Sequence, residues 1–124
     1  MTSEPRRDLP ERTFQFALRI VTLCQSLDTR AGVARVLARQ LLRSGTSVGA
    51  NVEEGHAAQT EADFLTKHSI ACKEARETHY WLRLLSATEV LPAERLRDLT
   101  QECNELVAIL TASVKRLKER RHDR

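Results

Sequence analysis

The chain has 124 residues, 20 Lys/Arg against 17 Asp/Glu for a formal net charge of +3, and 4% aromatic residues. That length makes one domain, which buries roughly two-thirds of its unfolded surface and needs neither disulfides nor metal to hold a core. It leaves no room for the large sheet of an α/β-hydrolase, and three cysteines, an odd number, argue against a secreted disulfide framework.

The opening residues, MTSEPRRDLPER, contain no apolar signal region, and no later run approaches the ~20 apolar residues of a membrane span. A cytoplasmic protein without a membrane partner is expected. Only four glycines and three prolines punctuate the chain, and the apolar spacing is helical throughout. A first helix is predicted over about 13–27, with Phe16, Ile20, Leu23 and Leu27 on one side and Phe14, Leu18 and Val21 on the other. Two apolar sides exceed what one core stripe requires, so a homo-oligomer is expected; Trp81 and Leu84 lie similarly off the main line of a later helix. DTRAG interrupts the first helix, and Asp28 or Thr29 can cap the second, predicted over about 31–56. In AAQTEAD, Thr60 and Asp63 have the spacing of a capping box, with Asp in place of the usual Glu, so a third helix is placed over about 61–87. Pro92 suits the first turn of a fourth. There Leu96, Leu99, Cys103, Leu106, Leu110, Ser113/Val114 and Leu117 recur at alternating spacings of three and four, the seam of an antiparallel bundle. The predicted fold is therefore all-α, an antiparallel up-down-up-down four-helix bundle. It forms a single domain over 1–124, with about twelve N-terminal residues and the tail 118–124 frayed.

GTSVG, Gly45 to Gly49, matches the G-x-S-x-G pattern of a hydrolase nucleophile elbow. That elbow requires a preceding strand, whereas Val33, Leu37, Leu41, Val48 and Val52 continue a helical spacing through the motif. Ser47 is accordingly not read as a catalytic residue, and no other catalytic residue is assigned. Each glycine costs about 1 kcal/mol relative to Ala inside a helix, so Gly45 and Gly49 imply a surface where another helix approaches closely. Ser47, Asn51 and Glu54 form a polar line on the second helix. Half-buried groups of this kind need partners, and Glu74, Glu77 and Tyr80 on the third helix can supply them. This reads as a structural polar network that fixes helix register. His68 and Cys72 stand four apart, and Cys24 and Cys103 lie on other helices. Small buried cysteines on bundle faces explain this better than a zinc site. Glu53 and His56 form a Glu-x-x-His pair, half of what a di-iron bundle requires. No metal site and no cofactor are assigned.

Charge carries more. Arg35, Arg39 and Arg43 recur every four residues as a basic stripe, which Arg19 and Arg83 can extend. KRLKERRHDR, Lys115 to Arg124, has a net charge of +4, leaving −1 for the rest of the chain. Arg35, Arg39, Arg43, Lys115, Arg116, Lys118, Arg120 and Arg121 are the candidate nucleic-acid-binding residues, since Lys/Arg contacts to phosphate supply most non-specific affinity. With Tyr80 and Trp81 the only aromatics considered for stacking, shape- and charge-driven contact with RNA or DNA is expected in preference to base readout. A fraying, solvated helix end is the blander alternative for the tail.

QLLRSGTSVGANVEE, KEARETHYWLRLL and LPAERL, within a likeness running from about Phe14 to Lys118, closely resemble the four-helix-bundle, ribosomal-protein-like family encoded by intervening sequences of bacterial 23S ribosomal RNA genes. A related family is the accessory variability determinant of diversity-generating retroelements, a basic pentameric barrel that engages a reverse transcriptase and RNA. The resemblance implies a homopentamer without catalytic activity, in which Ser47, Asn51, Glu54 and Glu77 are scaffold positions. Together these readings lead to a non-enzymatic, homo-oligomeric adaptor or binding protein that contacts nucleic acid or a nucleic-acid-processing protein. The alternative is a structural protein–protein interaction module.

Overall fold

The computed structural model describes residues 8–123. They form four helices, α1 (Leu9–Asp28), α2 (Val33–His56), α3 (Glu61–Ala87) and α4 (Ala93–His122), with no strand among the described residues. The three connections, 29–32, 57–60 and 88–92, are short enough that sequential helices must lie antiparallel and adjacent. α1 packs along α2, α2 along α3, and α3 along α4, while α1 meets α4 over a much shorter stretch. The architecture is the expected all-α four-helix bundle.

The helix boundaries follow from local chemistry. α1 starts at Leu9, four residues before the predicted start, because Pro10 falls in its first turn, where a missing N–H costs nothing. Of the N-terminal segment expected to fray, residues 1–7 lie outside the described residues, whereas 9–12 are helical. α2 begins after Gly32, whose φ of +75° favours a residue without a Cβ. Neither Asp28 nor Thr29 caps it: Asp28 is the last residue of α1 and Thr29 its C-cap. Thr60 caps α3 as its spacing suggests, its hydroxyl accepting from the Asp63 N–H at 3.0 Å. Pro92 stands one position before α4 and forms its N-cap. α4 continues to His122, so residues 118–122 of the expected frayed tail are helical; Arg124 lies outside the described residues.

The seam predicted for α4 is the buried face observed: Leu96, Leu99, Cys103, Leu106, Leu110, Ser113 and Leu117 are all buried. Leu96, Leu99, Cys103, Leu106 and Leu110 share one core with Phe16, Ile20 and Leu27 of α1, Leu41, Val48 and Val52 of α2, and Leu82 and Leu85 of α3. The glycines sit where α1 crosses α2. A Cβ added at Gly45 would stand 2.8 Å from the Ile20 side chain, and one at Gly49 would stand 3.1 Å from the Thr13 backbone oxygen. GTSVG is therefore the interior of a helix shaped for close approach.

Candidate nucleic-acid interface

The stripe on α2 is geometrically real, since a four-residue recurrence keeps Arg35, Arg39 and Arg43 on one side of the helix. Its electrostatics are uneven. Arg43 reaches α3 and pairs with both Glu74, at 3.3 Å, and Glu77. Glu74 is buried, and a buried carboxylate without such a partner would be costly. Arg43 is thus engaged in holding α2 to α3. Arg35 pairs with Asp28 at 3.6 Å, both groups being exposed, so that contact is weak in water. Arg39 is exposed and makes no ion pair among the described residues.

On the last turns of α4, Lys115, Arg116, Lys118, Arg120 and Arg121 are all exposed. Arg120 stands 3.9 Å from Glu61, and the other four make no ion pair among the described residues. Part of this charge is matched to the negative end of the helix dipole, where Arg120, Arg121 and His122 occupy the last turn. The remainder, Lys115, Arg116 and Lys118, is exposed on either side of Leu117, the last buried residue of α4.

The polar positions proposed to work as one network are not brought together. The Ser47 hydroxyl donates to the Arg43 carbonyl at 2.7 Å, and the Asn51 amide donates to the Ser47 carbonyl at 2.9 Å, both within α2. Glu54 pairs with Lys67 of α3 at 3.2 Å. Glu77 accepts from Arg43 and from the Trp81 indole N–H, the latter at 3.1 Å. Mid-helix Ser and Asn close bonds onto the preceding turn, which satisfies them locally. The buried polar link between α2 and α3 lies one turn away: the Thr78 hydroxyl is 2.9 Å from that of Ser44 and donates to the Glu74 carbonyl at 2.7 Å. Ser47 stands in continuous helix with its hydroxyl already engaged, which removes the elbow geometry.

Two further clusters carry no signal in the spacing. Arg12 forks onto Glu102 of α4, at 3.1 and 2.6 Å, and reaches Glu105 at 3.3 Å. This bidentate clamp ties α1 to α4 where the two helices otherwise meet little, and the hydrogen bond to Glu102 is the main reason the Arg12 pKa is raised. Beside the α2–α3 connection, His56, Phe64 and His68 gather their rings, with Phe64 and His68 stacked at 4.2 Å. His68 is buried, and its Nδ1 lies 3.3 Å from the Ser113 hydroxyl. Burial, and secondarily His56, push its pKa down to about 4. The cysteines each have separate surroundings: Cys24 Sγ lies 3.3 Å from the Ala38 carbonyl, Cys103 Sγ lies 3.4 Å from that of Ala75, and Cys72 Sγ lies 3.4 Å from the Thr111 hydroxyl. Among the described residues no three His, Cys, Asp or Glu side chains gather as a metal site.

Fold and surface together define a small antiparallel helical bundle whose polar interior is spent on helix pairing and whose last turns of α4 carry exposed cations. The chain belongs to the family of 23S rRNA-intervening sequence proteins, whose family model matches residues 8–112. It is also similar to the crystal structure of a protein with unknown function from the S23 ribosomal protein family of Bacteroides thetaiotaomicron. Sequence identity is 38% and the TM-score 0.82, over 90% of this chain and 99% of that one. No curated protein matches the chain. No helix among the described residues is long and apolar enough to cross a membrane.

Proposed function

We propose that this chain is a non-enzymatic adaptor that assembles as a homo-oligomer, a pentamer, and contacts nucleic acid, or an enzyme that acts on it, through its basic surfaces. The observation that carries the reading is the set of cations at the end of α4. Lys115, Arg116, Lys118 and Arg121 are exposed without ion pairs among the described residues, in a molecule of net charge only +3. Such a concentration attracts polyanions more than it serves solubility. Self-association is supported by an apolar strip: Phe14 and Leu18 are 50% and 46% exposed, and Val21 and Leu42 line a cavity of about 330 Å³ beside them. Arrayed around a symmetry axis, weak phosphate contacts would act together and raise avidity without new contacts. A reverse transcriptase is the kind of enzyme partner suggested by the resemblance to the retroelement determinant.

The test measures mass by light scattering beside binding of labelled RNA and duplex DNA across a salt series. The reading expects an oligomer with little sequence preference and a steep loss of affinity as salt rises. A monomer at micromolar concentration would refute the assembly. Intact oligomers with no salt-sensitive binding to either polymer would leave only the protein–protein interaction module.

A further inference from the structure

A second cationic surface lies between α3 and α4, away from the α2 stripe that Arg83 is expected to extend. Between the C-terminal half of α3 and the first turns of α4 runs an open groove of about 580 Å³. Its charged lining is Arg83 and Arg97, with no carboxylate among the lining residues. Neither arginine makes an ion pair or hydrogen bond with another described residue, in contrast to Arg12 and Arg43. The Gln101 and Asn104 amides add neutral donors and acceptors on the α4 wall, and Ala87, Ala93 and Leu96 supply an apolar lining. His79, on the α3 wall, has its pKa lowered by burial and then by Arg83, the response of an imidazole to positive potential.

Beyond the groove, the same α3–α4 seam runs toward the basic end of the bundle. Arg76 of α3 donates to the Thr111 hydroxyl of α4 at 3.3 Å, so it stands on the same α3–α4 seam, farther along. On α4, Arg97, Gln101, Asn104, Thr111 and Lys115 are spaced 4, 3, 7 and 4, which keeps them on one side of the helix. From Arg97 to Lys115 the seam extends about 27 Å at the helical rise per residue. Arg97, Arg83, Arg76 and Lys115 thus mark a cationic track rather than scattered solvating charges. Tyr80, 50% exposed, lies one turn before Arg83 on α3.

We infer that the α3–α4 groove holds one stretch of single-stranded RNA, with successive phosphates on Arg97, Arg83 and Arg76 and a base or sugar against Ala87, Ala93 and Leu96. This rests on the nucleic-acid reading given above and assigns that contact a place. Guanidiniums that are not already paired can bind phosphate through two parallel hydrogen bonds. An apolar lining beside them is of use only to a strand whose bases are free to leave the stack, since a duplex presents its phosphates and keeps its bases inside.

The experiment uses the full chain and a fluorescein-labelled 12-nucleotide uridine RNA, with a 12-base-pair RNA duplex in parallel, and reads anisotropy across a salt series. Arg83→Gln/Arg97→Gln is compared with Arg30→Gln/Arg95→Gln, which removes the same charge from exposed positions outside both the groove and the α2 stripe. The groove pair should weaken single-strand binding on the order of tenfold and make the log–log salt slope shallower by about 1.4, two phosphate contacts at about 0.7 each. The control pair should do neither, and circular dichroism should show every variant folded. Equal effects of the two pairs would overturn the groove assignment while the broader reading stands on wild-type binding. Tighter binding of the duplex would overturn the single-strand assignment. Wild-type protein that binds neither RNA at low salt would overturn the groove assignment and remove RNA from the broader reading, which would then rest on the duplex DNA arm of the first test.

Discussion

Gly49 offers the sharpest test of how the bundle is held together. Inside an exposed helix, Gly→Ala would gain about 1 kcal/mol from backbone entropy alone. Here the added methyl would stand 3.1 Å from the Thr13 carbonyl oxygen and 3.3 Å from its carbon. These are backbone atoms of a regular helix, so no side-chain rotation relieves the contact, and α1 must move away from α2 by a few tenths of an ångström. Overpacking of this kind costs about 1–3 kcal/mol, against which the propensity gain of about 1 kcal/mol is set. Gly49→Ala should therefore fall between neutral and about 2 kcal/mol destabilised. Gly49→Leu, with three further carbons directed into the same crossing, should lose about 3 kcal/mol or more.

Urea denaturation followed by far-UV circular dichroism reads both variants, repeated at two protein concentrations because association adds its own stability. Ala50→Gly calibrates the propensity scale at the adjacent exposed position and should cost about 1 kcal/mol. On the thermal scale each kcal/mol corresponds to about 4 °C for a chain of this size. If Gly49→Ala raised the midpoint by the full propensity gain at unchanged m-value, the α1–α2 crossing would have slack. The packing explanation of GTSVG would then be wrong.

Arg39→Glu should leave stability within about 0.5 kcal/mol yet weaken polyanion binding. Arg43→Glu should instead cost about 3 kcal/mol or more, since it sets a third carboxylate against Glu77 and the buried Glu74; equal stability of the two variants by urea titration would refute this difference. The folded His68 has its pKa near 4, whereas unfolded it takes up a proton near pH 6.5, so its contribution is complete above 6.5 and is lost as pH falls toward 4. Stability of wild type minus His68→Gln should decline through that window, and a constant difference would contradict the buried neutral imidazole. Burial pushes the Cys24 and Cys103 thiols up to about 11 and about 12. Mass spectrometry should accordingly show both alkylated slowly by iodoacetamide at pH 8 until urea is added. Ending the chain after Leu117 should leave the bundle folded, because that is the last buried residue of α4, while reducing salt-dependent binding.

The elements were legible because helical periodicity is a local property. The alternating three- and four-residue spacing on α4 named its buried face in full, and Thr60 announced the start of α3. Gly45 and Gly49 pointed to a close helix crossing, although nothing local said that α1 was the partner or that Ile20 and Thr13 were the residues met. The polar line Ser47, Asn51 and Glu54 illustrates the limit. Spacing shows which side of a helix a group occupies, but not whether its hydrogen bond closes on its own backbone. Ser47 and Asn51 close theirs one turn back, and the cross-helix polar link falls to Ser44 and Thr78. Arg12 was beyond sequence reasoning altogether, since its partner lies 90 residues away.

The same limit governs the basic surface, and there it bears on function. An arginine counts toward a polyanion only if the fold has not already given it a carboxylate, and that depends on the neighbouring helix. Three arginines recur at every fourth residue on α2, yet the charge thins along the stripe, from a free Arg39 to Arg43 held by two glutamates. On the α3–α4 seam the reverse holds. In the sequence Arg97 belongs to no pattern and Arg83 reads as an extension of the α2 stripe, but the helix pairing brings them to one groove and places no acid among its lining. Of the charge that looks ordered along one helix, Arg43 is spent on holding α2 to α3. Charge that looks scattered over two helices is left exposed in one groove, on the side of α4 that also carries Lys115. Mutating basic residues by their order in the sequence would therefore mix a folding contact, Arg43, with free cations. Grouping them by the helix pair they lie between separates the two effects, so the Arg83/Arg97 pair can test binding without also testing the fold.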